Sequence, residues 1–266
     1  FSHDQVDLDF SNPDLLLEFI RLLRLFLDKG ITTIRLDAVA FIWKEIGTSC
    51  IHLPQTHEIV RLMRTLADYS REPMVLITET NVPNRENLSY FGNRNEAHGI
   101  YNFPLPPLTL HALLTGDASV LTRWQRRMPP SPAGSFYFNF TASHDGIGVR
   151  AAEGYLTDDQ LTGMIDAIRD IGGLVSMRAM PDGSVRPYEI NVSLWDAMLA
   201  GPGGADLRFE RFLVSQTVML ALEGIPGIYI HSLLGTPNDL ARVERTGHNR
   251  SINRHQWNYP ELEARL

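Results

Sequence analysis

The 266-residue sequence is poor in cysteine, and Cys50 is the only one it contains. One thiol cannot form an internal disulfide, so the fold is not a disulfide-stapled scaffold. No run of 18 uncharged apolar residues occurs, and we therefore expect no membrane span. Basic residues are also scarce, because 24 Lys and Arg stand against 31 Asp and Glu, for a net charge of −7. An acidic chain without a long basic run is not expected to bind nucleic acid.

What is present fits a globular protein. Hydrophobic residues make up 44% of the sequence, which is an ordinary share, and a chain of this length can bury a sizeable core. The sequence begins at Phe1 with no signal-peptide pattern after it, and we expect a cytoplasmic protein. Because residues 5–10 resemble the end of a loop or strand, we also expect further sequence to precede Phe1.

The apolar pattern alternates between strand and helix along the chain. Strands are predicted at residues 31–37, 74–79, 98–103, 135–141 and 227–231. Helices are predicted at residues 14–29, 57–71, 157–170 and 208–223, with further helical patterns up to about residue 127. Strands separated by helices predict βα units with a parallel sheet, which is the α/β class.

Three acidic residues, Asp37, Glu79 and Asp145, follow predicted apolar strands. A (β/α) barrel keeps its chemistry at the carboxyl ends of its strands. Five predicted strands cannot close an eight-stranded barrel. Either three strands lie in sequence outside this chain, which is then the C-terminal part of a TIM barrel, or the sheet is open.

Residues 147–205 interrupt the alternation with a helix followed by several Gly and Pro turn signals. We expect an inserted loop subdomain there that shapes the substrate site. The predicted division is residues 1–146 for barrel strands and helices, 147–205 for the insertion, and 206–266 for the last barrel strand and the segment after it.

The segments that contain the three acids carry a family resemblance. Residues 35–39 (RLDAV) resemble the nucleophile motif of the alpha-amylase superfamily of glycoside hydrolases. Residues 77–81 (ITETN) resemble its general acid/base motif, and residues 143–148 (SHDGIG) resemble its third acidic motif. Longer stretches are similar to the sucrose-phosphorylase-like subgroup, at residues 44–50, 105–113, 144–149 and 250–255.

This resemblance implies part of a (β/α)8 TIM barrel, with about five of the eight strands present and the first three outside the chain. It assigns Asp37 as the nucleophile that forms a covalent β-glucosyl-enzyme, Glu79 as the general acid/base and Asp145 as the stabiliser of the oxocarbenium-like state. It also implies substrate contacts for Arg35, His144 and Arg250.

The local chemistry agrees with these assignments. Arg35 and Asp37 are two residues apart and share one face of a strand, so the arginine can orient the carboxylate and keep it ionised. A retaining pair of carboxyl groups is about 5–5.5 Å apart. Because neighbouring carboxylates do not all ionise easily, we expect Asp37 and Asp145 to raise the pKa of Glu79 and keep it protonated.

The subgroup implies phosphorolysis, in which inorganic phosphate takes the glucosyl group and α-D-glucose 1-phosphate is released. Phosphate must outcompete water, so the site needs bound cations and the exclusion of water. Arg178, Arg186 and Tyr188 of the insertion are the candidate phosphate contacts. Phosphate would act as a co-substrate, and no cofactor and no metal are expected.

Two departures from the subgroup concern the acceptor. Asn81 stands where sucrose phosphorylases carry a histidine, and Tyr188-Glu189 replaces their Tyr-Gln pair. Both favour the glucosylglycerate and glucosylglycerol phosphorylases of the subgroup. Glu189 would repel glycerate unless Arg178 or Arg186 offsets its charge, and it could accept hydrogen bonds from glycerol. Acceptors of glycerate, glycerol and fructose type therefore stay open.

Two other functions are compatible with these patterns. One is a retaining α-glucosidase or amylase-type hydrolase, and the other is a non-catalytic sugar-binding relative, although such relatives usually lack one of the three acids. The expected partners are a small-molecule glucoside and phosphate, with a homodimer as a further expectation and with neither nucleic acid nor a membrane.

Overall fold

A computed structural model describes residues 6–180 and 182–265. The strands are β1 (Thr33–Leu36), β2 (Val75–Thr78), β3 (Gly99–Tyr101), β4 (Phe136–Asn139), β5 (Ile147–Gly148), β6 (Leu174–Ala179), β7 (Val185–Asn191) and β8 (Ile225–Pro226). The α-helices are α1 (Pro13–Asp28), α2 (Pro54–Asp68), α3 (Asn84–Ser89), α4 (Leu105–Thr115), α5 (Ser119–Gln125), α6 (Asp158–Asp170), α7 (Leu194–Ala197), α8 (Arg208–Ala221), α9 (Ile230–Leu233), α10 (Leu240–Thr246) and α11 (Tyr259–Arg265). Short 3-10 turns occupy Val39–Phe41, Arg150–Ala152, Met198–Ala200, Gly204–Leu207 and Asn249–Asn253.

The chain folds into two compact units. The first contains the described residues up to 101 together with 130–138 and 223–225. The second contains residues 102–129, 139–222 and those from 226 onwards. The three-part division predicted from the sequence remains a prediction.

The larger sheet has the strand order β1-β2-β3-β4-β8. The pairs β1–β2, β2–β3 and β3–β4 are parallel, and Leu36 lies in register with Thr78. Helices connect these strands, so the predicted α/β class is confirmed. Parallel strands that follow one another in the chain end at the same edge of the sheet, and the residues after β1 and β2 therefore become neighbours.

Helix α1 shows why the sequence folds this way locally. Asn12 caps it by accepting a hydrogen bond from the Asp14 backbone N–H (2.9 Å), and Pro13 occupies the first turn. Gly30, with φ of +79°, turns the chain out of the helix towards β1. The first unit buries side chains of both helices and strands in one core, among them Leu23, Ile34, Ile59, Met63 and Leu76.

Helices predicted at residues 14–29, 57–71, 157–170 and 208–223 are found as α1, α2, α6 and α8. The strand predicted at residues 227–231 is wrong, because the strand is Ile225–Pro226 and the chain is already helical from Ile230. Beyond β8, the Gly227 N–H donates to the Asn139 carbonyl (2.7 Å), while Ile228 and Ile230 are about half exposed. A short apolar run does not distinguish a buried strand from the start of a helix.

The predicted insertion contains a second, antiparallel sheet with the order β5-β7-β6. Ile147, two residues after the third predicted acid, lies in register with Ile190. Helix α6 packs on this sheet through Ile165 and Ile168, and a capping box of Thr157 and Gln160 fixes its start. Nowhere in the described residues is there a helix long and apolar enough to cross a membrane.

Candidate active site

Asp37 and Glu79 directly follow the paired strands β1 and β2. The backbone N–H of Glu79 donates to the Leu36 carbonyl (3.0 Å), which continues the ladder by one residue and fixes the two acids side by side. The Asp37 side chain is 69% exposed, whereas that of Glu79 is 12% exposed. Asp37 and Lys44 are among the residues that line a cavity of about 330 Å³.

Arg35 bridges the two acids. Its Nη1 lies 2.9 Å from Asp37 Oδ2, and its Nη2 lies 3.8 Å from Glu79 Oε1. The guanidinium also lies over the ring of Tyr101, 5.4 Å from its centroid. Burial lowers the pKa of Arg35, but the charges of Glu79 and Asp37 outweigh it and the net direction is upward. The arginine is therefore a fixed cation between the two carboxyl groups.

Ala38 holds the second oxygen of Glu79. Its backbone N–H donates to Glu79 Oε2 (3.0 Å), and its own φ of +48° lies in the left-handed region. A non-glycine residue there costs on the order of 1–3 kcal/mol, which is typical of functional sites. The strained turn directs this N–H to the carboxyl group and so orients Glu79 relative to Asp37.

Asn81 stands at the start of the loop after β2. Its Oδ1 is buried and accepts no hydrogen bond from any residue that the structure describes. Next to it, the Thr80 hydroxyl donates to Asn87 Oδ1 (2.7 Å), and Asn87 Nδ2 donates to the Tyr101 carbonyl (2.8 Å). These bonds tie the loop to the end of β3.

Asp145 lies in the second unit, in the loop between β4 and β5. Its Oδ1 lies 2.6 Å from Arg250 Nη1 and 3.0 Å from Arg254 Nη2. His144 Nε2 is 3.7 Å from the same oxygen. Two arginines and a histidine thus surround one oxygen of the Asp145 carboxylate.

Arg250 joins Asp145 to Glu189. Its Nε donates to Glu189 Oε1 (3.0 Å) and its Nη2 donates to Glu189 Oε2 (2.6 Å). Burial lowers the pKa of Arg250, while the hydrogen bonds and charge of Glu189 and the charge of Asp145 raise it, and the net direction is upward. The cation paired with Glu189 is therefore Arg250, and a role of Arg178 or Arg186 in offsetting its charge stays a prediction.

The predicted phosphate contacts lie on the β6–β7 hairpin. Arg178 and Arg186 are register partners on the two strands, and Arg178 Nη2 bonds to Glu153 Oε1 (2.8 Å). Tyr188 contributes to the electrostatic environment of Arg250. Arg178 thus already has a carboxylate partner, and the phosphate role of these residues remains a prediction.

The predicted residues are therefore found in two groups. Asp37, Glu79 and Arg35 lie together in the first unit, with Asn81 close by in sequence, while His144, Asp145, Glu189 and Arg250 lie together in the second. The meeting of the two groups around one sugar remains a prediction. Across residues 6–180 and 182–265, no set of three or more His, Cys, Asp or Glu side chains is arranged to hold a metal ion.

One family of known proteins is similar to the part of the chain that contains Asp37 and Glu79. Residues 1–129 match the model of the alpha-amylase catalytic domain. The match covers 129 of the 266 residues and places the family similarity in the first half of the chain. The match includes both Asp37 and Glu79, and the resemblance inferred from their motifs is confirmed.

Curated relatives extend the similarity over the whole chain. A glucosylglycerate phosphorylase of Spirochaeta thermophila is 49% identical over 97% of this chain and 44% of its own length. One of Escherichia coli is 42% identical over 100% of this chain and 48% of its own length. Sucrose and glucosylglycerol phosphorylases match at lower identity, 28%. The chain spans about half the length of these relatives.

One solved structure is similar to this chain in fold. The sucrose 6F-phosphate phosphorylase of Thermoanaerobacter thermosaccharolyticum superposes with a TM-score of 0.84 at 25% identity, covering 98% of this chain and 50% of that one. Together with the parallel sheet, this confirms the predicted part of an alpha-amylase family barrel.

Three further residues contribute to these groups and were not predicted from the sequence. Ala38 acts through its backbone N–H, which no side-chain pattern reveals. Tyr101 ends β3 at the same sheet edge as Asp37 and Glu79, and that position is the signal that could have found it. Arg254 lies four residues after Arg250 in a stretch that already carried the alpha-amylase family resemblance.

Proposed function

We propose that the chain is part of a retaining α-glucoside phosphorylase that transfers a glucosyl group between a glycerate-type acceptor and phosphate. The observation that carries this proposal is the 42–49% identity to glucosylglycerate phosphorylases across essentially the whole chain. The retention of Asp37, Glu79 and Asp145 supports a catalytic protein over a sugar-binding relative without activity.

In the first half of the reaction, the Asp37 carboxylate attacks the anomeric carbon of the glucoside. The bond from that carbon to the glycosidic oxygen breaks as Glu79 gives its proton to the leaving oxygen, and the acceptor departs as an alcohol. A β-glucosyl ester on Asp37 results. Arg35 orients the nucleophile, and the Ala38 N–H orients the acid.

In the second half, a phosphate oxygen attacks the same carbon and the bond to Asp37 breaks. Glu79 takes the proton from the incoming phosphate, so both carboxyl groups return to their starting states. Two displacements give net retention, and the product is α-D-glucose 1-phosphate. In this proposal the Asp145 carboxylate stabilises the positive charge that develops on the sugar in each transition state.

The acceptor is proposed to be glycerate because three relatives at 42–49% identity are named glucosylglycerate phosphorylases. Glu189 is no obstacle to an anion, since Arg250 already offsets its charge. The buried, unpartnered Oδ1 of Asn81 offers a neutral acceptor for a substrate hydroxyl. Arg178, Arg186 and Tyr188 remain the proposed phosphate contacts.

Phosphate is the proposed co-substrate, and no further cofactor is part of the proposal. A cytoplasmic location and a homodimer also remain proposals, which fractionation and sedimentation of the full-length protein would test.

The function is tested by a donor screen with the full-length protein. We expect phosphate-dependent release of glucose 1-phosphate from glucosylglycerate, with slower release from glucosylglycerol and sucrose. Equal turnover with and without phosphate would contradict the proposal and favour a hydrolase. Binding of a glucoside without turnover of any donor would favour a non-catalytic relative.

A further inference from the structure

Glu189 is a buried carboxylate in β7, with only 2% of its surface exposed. Arg250 occupies both of its oxygens through the paired Nε and Nη2 bonds, and Asn191 Nδ2 donates to Oε1 (2.5 Å). A bidentate pair of this kind fixes the plane of a guanidinium as well as its position. Such a carboxylate has little capacity left to contact an acceptor directly.

The support for Glu189 continues away from Asp145 through a chain of hydrogen bonds. Asn191 Oδ1 accepts from the Ser176 hydroxyl (2.7 Å), and Ser176 Oγ accepts from Asn249 Nδ2 (3.2 Å). Asn249 directly precedes Arg250 in the chain. The bonds thus connect both strands of the β6–β7 hairpin to the turn that carries Arg250.

The backbone next to Asp145 is shaped to accept this arrangement. A Cβ added at Gly146 would lie 2.5 Å from Glu189 Cγ and 2.6 Å from Asn191 Nδ2. Glycine at this position therefore allows β7 to pack directly against the loop that carries Asp145. The pairing of Ile147 with Ile190 continues the same contact.

We propose that Glu189 is a positioning residue that acts on Asp145 through Arg250. Its two bonds set the guanidinium so that Nη1 reaches Asp145 Oδ1 at 2.6 Å, which fixes the orientation of the Asp145 carboxylate. The proposal rests on the proposed function, because it gives Glu189 a part in glucosyl transfer. It replaces the direct acceptor contact that the sequence suggested for this residue.

A positioning role for Glu189 predicts a kinetic effect that a purely structural role would not. Asp145 acts on the transition state of glucosyl transfer, so a displaced Asp145 lowers kcat. A misplacement of about 1 Å costs up to about 100-fold. Removing the charge of Glu189 is therefore expected to lower kcat about 10- to 100-fold, with a smaller change in the KM for the acceptor.

The test is a double-mutant cycle in the full-length protein, read out as phosphorolysis of its best donor. Glu189→Gln preserves shape and removes the charge, and Arg250→Lys preserves the charge and removes the paired bonds. If Glu189 acts through Arg250, adding Glu189→Gln to the Arg250→Lys variant lowers kcat by less than about a further 3-fold. Asp166→Asn is the matched control, because this carboxylate forms an exposed ion pair with Arg169 on α6, and it should leave kcat unchanged.

If the losses in kcat of the two single variants multiply in the double variant, the proposal is overturned. It is also overturned if Glu189→Gln changes only the KM for the acceptor. Should Glu189→Gln fail to fold, as judged by its circular dichroism and melting curve, Ser176→Ala takes its place. That variant is expected to lower kcat about 3-fold in the wild-type background and to have no further effect with Arg250→Lys. An active wild-type enzyme whose kcat is unchanged by either variant refutes this inference alone, whereas a wild-type enzyme without phosphate-dependent turnover refutes the proposed function.

Discussion

At the scale of single residues, Asp37 combines high exposure with tight orientation. Its side chain is 69% exposed, yet Arg35 holds one oxygen at 2.9 Å, and the same arginine approaches Glu79. Folding therefore depends little on Asp37, whereas its alignment depends on a neighbour two residues away. A substitution at Asp37 can therefore remove the proposed nucleophile without disturbing the fold.

Asp37→Asn is accordingly expected to abolish turnover and to preserve folding. Asparagine cannot form the glucosyl ester, and we expect a loss of roughly 10³-fold or more in kcat. The exposed side chain contributes little packing, so the melting temperature should move by no more than a few degrees. Steady-state kinetics and thermal melting check the two halves of this prediction, and a variant with wild-type rates would remove Asp37 from the mechanism.

Some residue-scale features could be predicted from sequence and others could not. The Arg35–Asp37 pair follows from strand periodicity, because residues two apart share a face. The Arg250–Glu189 pair joins residues 61 positions apart, which only the pairing of β5, β6 and β7 brings together. No local pattern contains that information, and Arg250 was for this reason not predicted as the partner of Glu189.

At the scale of elements, the close approach of β3 and β4 depends on a glycine. Gly99 is paired with Phe136, and a Cβ at this position would lie 2.5 Å from the Phe136 ring. The backbone of β3 at Gly99 therefore packs directly against the Phe136 ring of β4. The presence of these strands was predictable from their apolar runs, whereas their bounds, which are shorter than the predicted 98–103 and 135–141, and the tightness of their packing were not.

Gly99→Ala is expected to destabilise the protein by about 1–3 kcal/mol, because the added methyl group overpacks the sheet. Gly163→Ala is the matched control, since its Cβ would meet no atom within 4 Å in the middle of α6. Alanine in an exposed helix is expected to stabilise by about 0.5–1 kcal/mol. Urea unfolding of both variants measures the difference, and equal effects would contradict this account of β3.

His98 links the same strands to the pH dependence of stability. The Leu76 N–H donates to His98 Nδ1 (3.1 Å), which requires an unprotonated Nδ1. Burial, followed by the charge of Arg64, lowers the pKa of His98 from 6.5, although Asp68 opposes the shift. The unfolded chain thus binds this proton more readily than the folded protein does. The stabilisation is present above pH 6.5 and is lost as the pH falls below it.

We therefore expect His98→Gln to lose less stability than the wild type when the pH is lowered from 7 to 5. Melting temperatures across this range, with His248→Gln at an exposed histidine as the control, measure the difference. Parallel melting curves for wild type and His98→Gln would show that His98 carries no proton-linked stability.

At the scale of the whole molecule, burial of tyrosine makes the fold sensitive to alkali. Tyr137 in β4 is 3% exposed, and burial raises its pKa from 10.0 to about 12, with the charge of Glu223 adding to the effect. Its protonated form stabilises the folded state below pH 10, and this contribution is lost as the pH rises from 10 to about 12. Tyr137→Phe should flatten the stability curve in that window, and an unchanged curve would contradict this.

The alternation of strands and helices along the chain was enough to predict an α/β fold, and the ends of two strands were enough to predict that Asp37 and Glu79 are neighbours. The meeting of these two acids with Asp145 stays a prediction. The strand predicted after β8 was wrong, because Ile228 and Ile230 give the apolar pattern of a buried strand although both are about half exposed. Sequence shows which residues are apolar, whereas the surrounding chain determines which of them are covered.

The proposed mechanism requires that Asp37 become covalently glucosylated. Full-length Glu79→Gln protein incubated with an activated α-glucosyl donor, whose leaving group needs no protonation, should accumulate the intermediate. Mass spectrometry of its peptides is expected to show one hexosyl group on the peptide that contains Asp37, and added phosphate should release it as α-D-glucose 1-phosphate. An unmodified Asp37 peptide during turnover, or a product with the β configuration, would contradict the account.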